Sequence, residues 1–268
     1  LVEVKGMPKK LVSDELWSIV EPLLPQHIPS PKGGRPRISD RAALTGIIFV
    51  LKTGIPWEEL PQEMGCGSGM TCWRRLQEWQ KAGVWEKIHC SILQTLHDAH
   101  KIDWTKFALQ FCDPGKKGGQ LTGPNPVDRG RPGSKHHVIT DRNGIPLAVA
   151  LTAANRNDCK MLTHMLDNLP ILNTFQGGPS CHPKKLHADK AYDYSFCRQA
   201  CTLRNIIPRI ARRGVESSSH LGKHRWVVER TFAWLHRYRR LLVRYERRAD
   251  IHSAFLTLAV ALIAFKFC

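Results

Sequence analysis

Carboxylates are scarce in this chain, 23 Asp and Glu against 40 Lys and Arg, and two of them sit where chemistry could use them. Asp189 closes the run Lys184-Lys185-Leu186-His187-Ala188, which reads as a strand. Open α/β sheets present their reactive groups at strand ends. Glu229 falls within a helically spaced stretch, among Trp226, Val228, Phe232 and Trp234. A carboxylate in such surroundings is costly unless it is paired or binds a metal. One reading pairs Glu229 with Arg225 one helical turn away and needs no function. The other is phosphodiester cleavage, in which two magnesium ions roughly 4 Å apart activate the attacking oxygen and stabilise the leaving one. Magnesium takes a few hard carboxylates and keeps waters. A strand-end Asp and a helix Glu, set among basic side chains that hold phosphates, supply part of that arrangement.

The charge agrees with a phosphate-bearing partner. The net formal charge is +17 over 268 residues, which points to a polyanion, and duplex DNA is the densest one in a cell. A hydrophobic content of 42% excludes a disordered tail protein. At about 150 residues per domain the chain holds one large or two modest domains. The nine cysteines contain no C-x-x-C pair, which argues against a zinc ribbon or a disulfide ladder and for free thiols in a reducing cytosol. The start lacks a basic-apolar-small leader pattern. The longest apolar run, Ala254 to Phe265, is too short to span a bilayer and reads as a buried final helix. Met7 is the first methionine, so residues 1–6 read as upstream of an ordinary start.

Residues 1–100 read as helical. Ser13-Asp14-Glu15, Ser39-Asp40 and Ser68 are caps for helices over Leu11–Leu24, Asp40–Leu51 and Met70–Lys81, and a further helix runs from Val84 to Ala99. Short helices with Gly-bearing turns suit a helix-turn-helix-like bundle, with Arg74, Arg75 and Lys81 toward phosphates. Residues 101–268 change texture. A β-prone run, Trp104–Cys112, precedes a Gly/Pro/Lys loop. Asn143-Gly144 then joins two apolar runs as a hairpin. Helix, strand, helix, strand and two final helices follow, which is α/β with a mixed sheet and not strict βαβ alternation.

Further DNA contacts can be placed. Arg129-Gly130-Arg131-Pro132 has the look of a minor-groove hook, or of an ordinary basic loop. Lys135, His136 and His137 read as strand residues near DNA. From Arg204 to Arg248 there are 13 Lys and Arg against Glu216, Glu229 and Glu246. So lopsided a stretch suits a backbone track, with Arg225, Arg230, Arg237, Arg239 and Arg240 as candidate contacts.

Several long blocks resemble the DDE transposases of bacterial insertion sequences, of the IS-five-like group. They are Gly123-Pro124-Asn125-Pro126-Val127-Asp128-Arg129-Gly130 with Gly133-Ser134-Lys135-His136-His137, then Leu186 to Asp193, then Leu221 to Leu235. In the helical half the clearest piece is Thr53-Gly54-Ile55-Pro56-Trp57. The resemblance implies an RNase H-like catalytic domain over 101–268 behind a helical DNA-binding domain over 1–100. It implies Asp189 and Glu229 as metal ligands, Mg2+ or Mn2+ as cofactor, and element ends and target as double-stranded DNA partners. It further implies a homo-oligomer on DNA, no membrane, and a cytoplasmic, nucleoid-associated setting. The implied reaction is hydrolysis at element ends and attack of the freed 3′-hydroxyl on target DNA.

One position departs from the pattern. The family's first catalytic Asp falls six residues after the Trp matched by Trp104, where this chain has Gln110. Phe107–Gly115 matches poorly between well-matched flanks, the pattern of two compensating frameshifts. Asp113 is a candidate substitute, although Pro114 beside it reads as a strand already ending, and Asp103 precedes the strand. The expectation is therefore an impaired transposase or, alternatively, an inactive DNA-binding remnant.

Overall fold

Helices begin where the sequence supplies caps. In the computed structural model, residues 10–27, 36–112, 118–126, 128–172, 183–214 and 218–268 are described, the side chains of 111–112 and 218–225 excepted. Asp113 and the side chain of Arg225 thus lie outside the described residues. Ser13, Ser39 and Ser68 each accept from a backbone N–H one turn on, opening α1 (Asp14–Val20), α2 (Asp40–Thr53) and α3 (Gly69–Lys81). Gly54, at φ +74°, ends α2 in the left-handed conformation that a side chain disfavours. α4 (Val84–Asp98) follows α3 after Ala82 and Gly83. α4 is packed against α1 and the last helix, while α2 and α3 are separated by two short 3-10 turns.

The second half is β1 (Phe107–Cys112), β2 (Gly123–Pro124), β3 (Pro132–Thr140), β4 (Pro146–Ala153), α5 (Leu162–Asp167), β5 (Lys185–Ala188), α6 (Ser195–Thr202), β6 (Ile207–Ile210), α7 (Ser218–Leu235), α8 (Arg239–Leu242) and α9 (Ala249–Ala264). The sheet order is β2-β3-β1-β5-β6, with β4 on β3. β1 pairs antiparallel with β3 and parallel with β5, and β5 parallel with β6. Hairpins link the antiparallel strands; the parallel ones need crossovers. This is the mixed sheet expected of an RNase H-like domain. β1 forms because Phe-Ala-Leu-Gln-Phe-Cys is largely apolar and β-compatible.

The two halves share one core, a continuous cluster of buried residues from Val12 to Ala264. α9 is apolar nearly all round because it is enclosed, packing on α4, α3 and β4. Trp57 stacks on Phe255 of α9 at 5.8 Å. His89 of α4 donates from Nε2 to the carbonyl of Pro146 at 2.9 Å, tying helices to sheet. The boundary near residue 100 is thus a change of element type within one packed body.

Burial holds the His89 pKa down at about 4, and that of His137, beside Lys135, at about 3. The folded state therefore rejects a proton that the unfolded chain accepts near pH 6.5. Stability is full above that pH and falls as pH drops toward the folded values. His89 by itself accounts for about 3 kcal/mol. Urea unfolding between pH 7 and 4 should show this loss, and His89→Gln should flatten the profile.

Candidate active site at the ends of β1 and β5

Strand register decides which residues meet. Phe107 pairs with Leu186, Ala108 with His187 and Leu109 with Ala188. The paired register ends there, and Gln110 and Asp189 are the next residues along the two strands. Alternation along a strand puts both on the same face, together with Ala108 and His187. On that face His136 of β3, level with Cys112, meets His252 of α9 with Nε2 atoms 2.8 Å apart. α7 touches α9 and crosses β1 and β3, so the helix bearing Glu229 covers the same side.

The turn after β5 is closely held. Asp189 accepts the N–H of Ala191 at 2.8 Å. Asp193 accepts from Arg198 at 2.6 Å and from the N–H of Arg213 at 2.9 Å. Arg213 also reaches the carbonyl of Lys190 at 3.1 Å. The Arg198 guanidinium holds the Asp193 carboxyl below its ordinary range. Tyr192 is fully buried beneath this turn, as packing predicts. The Asp193–Arg198–Arg213 set was not singled out from sequence. An acid placed four residues beyond Asp189, in a chain short of acids, was the available signal.

Two expectations about chemistry change. Glu229 is exposed, because α7 turns Val227, Val228, Thr231, Phe232 and Leu235 inward instead; aromatic neighbours in sequence do not bury it. Asp103 is spent at the other end of β1, accepting from the N–H and hydroxyl of Thr105.

Several arginine and lysine expectations are corrected. Arg75 shares the inward stripe of α3 with Cys72, Leu76 and Trp79, is 3% exposed and pairs with Asp40. Lys135 alternates into the sheet's covered side and bonds Asp158 at 2.9 Å. Arg240 is buried, bonded to Glu246 at 2.7 Å and to the carbonyls of Gly54 and Ile55. Arg230 lies between the rings of Trp226 and Trp234 and donates to the Asn143 carbonyl at 2.6 Å. His136 and His137 are fully buried, the latter bonded to Thr152 at 2.8 Å. None of these meets a phosphate while so engaged. Arg74, Arg129, Arg131, Arg237 and Arg239 are exposed. Glu246, one acid amid bases, was also missed. Burial would raise its pKa, but His252 and Arg240 outweigh that and hold it low.

A divalent ion needs oxygen donors with charge. Asp189 supplies one carboxylate, and the buried Gln110 Oε1 has no hydrogen-bond partner. It is an available oxygen without charge. Among the described residues no group of three or more His, Cys, Asp and Glu could hold a metal ion.

Residues 12–89 match the family model described as "Putative transposase of IS4/5 family", and residues 93–264 match the transposase DDE domain. The chain belongs to the DDE transposases of insertion sequences. Transposases of this kind act on DNA with divalent metal ions. The chain is 52% identical over 156 residues to the "Putative transposase for insertion sequence element IS402" of Burkholderia cepacia, covering 58% of this chain and 74% of that protein. It is 30% identical over 115 residues to the transposase for insertion sequence element IS1106 of Neisseria meningitidis serogroup B, covering 39% of this chain and 36% of that one. Among solved structures, the Mos1 strand transfer complex aligns over 89% of this chain and 81% of that chain, at 10% identity and a TM-score of 0.30.

The division between buried and exposed bases can be measured. Lys135→Ala breaks the buried ion pair with Asp158 and should lower stability by several kcal/mol in urea unfolding. Arg74→Ala should leave stability unchanged and reduce the slope of log affinity against log salt for duplex DNA by about 0.9. Equal effects of the two on stability would contradict the assignment.

Proposed function

We propose that this transposase binds DNA ends and cuts them poorly, because its cleavage centre lacks one carboxylate. The observation that carries this is the parallel β1–β5 register, which ends at Leu109 and Ala188 with Gln110 and Asp189 as the next residues of the two strands. The proposed ligands are Asp189 and Glu229, with the Gln110 amide oxygen as a neutral third. Mg2+, or Mn2+, held there would activate water and polarise the scissile phosphate. Asp189 is pre-positioned by the Ala191 N–H and by the bonded turn behind it, so little ordering is needed when an ion arrives. Glu229, exposed on α7, is accessible to an ion without disturbing the buried stripe of that helix. The exposed Arg74, Arg129, Arg131, Arg237 and Arg239 neutralise phosphates and hold the duplex. Two chains bridging two element ends complete the working form, in the compartment that holds the DNA.

The rival reading is a DNA-binding remnant with no cutting activity at all. It rests on the same glutamine, since two divalent ions carry four positive charges and two carboxylates balance half. Losing one carboxylate costs several kcal/mol at the transition state, roughly a thousandfold in rate.

The intact β1 makes the test a single substitution. Gln110→Asp should raise Mg2+-dependent cleavage of element ends about a thousandfold. No gain would exclude the missing-charge explanation, and strong cleavage by the unaltered chain would move the first-ligand role to Asp113. Glu229→Gln should weaken Mn2+ binding with the thermal midpoint unchanged. A large drop in that midpoint would return Glu229 to a structural ion pair.

A further inference from the structure

The hairpin of β2 and the start of β3 stands at the same end of the sheet as Asp189 and Gln110. β3 runs antiparallel to β1 with His136 opposite Cys112, so its first residues, 132–135, extend beyond the end of β1. β2 pairs with them there, Gly123 with Gly133 and Pro124 with Pro132. The tip is internally bonded. The Asn125 N–H donates to the Arg131 carbonyl at 2.9 Å, Gly130 to the Asn125 carbonyl at 3.0 Å, and Arg131 to the Asp128 carbonyl at 2.9 Å. Arg129 and Gly130 take successive left-handed conformations, φ +49° and +72°. Together they close the tip tightly and leave Arg129 and Arg131 exposed on either side of a glycine.

A buried base anchors the stem. Arg244, 2% exposed, donates to the carbonyls of Gln120, Leu121 and Glu246 and to the hydroxyl of Ser134. Its donors therefore gather both strands of the hairpin stem and the segment before α9. Gln120 adds a bond from its N–H to the Arg247 carbonyl at 2.8 Å, and its side-chain oxygen accepts from Ala249 at 3.2 Å. The tip is consequently a preorganised projection, with little ordering cost on binding.

We propose that this hairpin is an arginine hook that enters the DNA minor groove next to the cut and selects A/T-rich sequence by groove width. Its location at the cut rests on the Asp189 reading above; its groove preference does not. Three physical points favour the groove over phosphates alone. The tip carries two exposed guanidinium side chains, Arg129 and Arg131, each flat and slender enough to enter a slot about 6 Å wide while the turn itself stays outside it. A narrow A/T minor groove concentrates negative potential. A guanidinium is more weakly hydrated than an ammonium, so it enters that slot at lower cost. The amino group of guanine protrudes into the minor groove, which makes G·C pairs a poor fit and inosine·cytosine pairs equivalent to A·T there.

The test uses the full chain without metal, so cleavage is not involved. Binding is measured by fluorescence anisotropy to duplexes that differ only in a central A·T, I·C or G·C tract. A·T and I·C should bind alike and roughly tenfold tighter than G·C. Equal binding of I·C and G·C would overturn the proposal. The double variant Arg129→Lys with Arg131→Lys should erase the preference and leave the salt slope unchanged. A preference that survives both lysines would assign the two side chains to phosphates and refute the hook. Arg244→Met should weaken the preference by loosening the stem. If that chain does not fold, the lysine pair, which touches nothing buried, decides the matter. Loss of Mn2+ binding in Asp189→Asn with the A·T preference intact would separate this proposal from the metal-site reading.

Discussion

The constraint on which the rest of this structure depends is the central placement of β1. It is hydrogen-bonded antiparallel to β3 and parallel to β5, so it fixes the register of both halves of the sheet. Through β3 it sets where the Arg129–Arg131 hairpin projects. Through β5 it sets the register that ends with Gln110 and Asp189 as the next residues. A shift of one residue in either pairing would turn these side chains to the other face. Phe107 and Leu109, both buried, hold the register by packing. The strand therefore forms with Gln110 as its fourth residue.

The large positive charge serves two purposes that exposure separates. Arg75, Lys135, Arg240 and Arg244 are internal ties, each matched to a carboxylate or to carbonyls. Arg240 joins the Gly54 turn to Glu246, and the Arg240 guanidinium lies over Trp57 and Tyr245. This cluster locks the helical half onto the catalytic half. The orientation of the helical part relative to the sheet is thus set by buried polar contacts as well as by the shared apolar core. Arg74, Arg129, Arg131, Arg237 and Arg239, by contrast, are exposed.

Much of this was legible in the sequence. Caps at Ser13, Ser39 and Ser68, the Asn143-Gly144 turn, the strand before Asp189 and the apolar last helix are local signals, and short-range backbone chemistry was enough to read them. The family blocks identified the reaction class. What sequence could not decide is which way a side chain faces within a basic helix or strand. Arg74 and Arg75 are neighbours of equal charge, yet one is exposed and the other pairs with Asp40, because α3 packs against elements remote in sequence. Glu229 among aromatics looked buried, but the helix rotates it outward. The parallel register that brings the ends of β1 and β5 together, and the clamp of Arg244 on a stem more than a hundred residues away, arise only when the sheet closes. Such contacts depend on tertiary register, and register is a property of paired strands that no single segment carries alone.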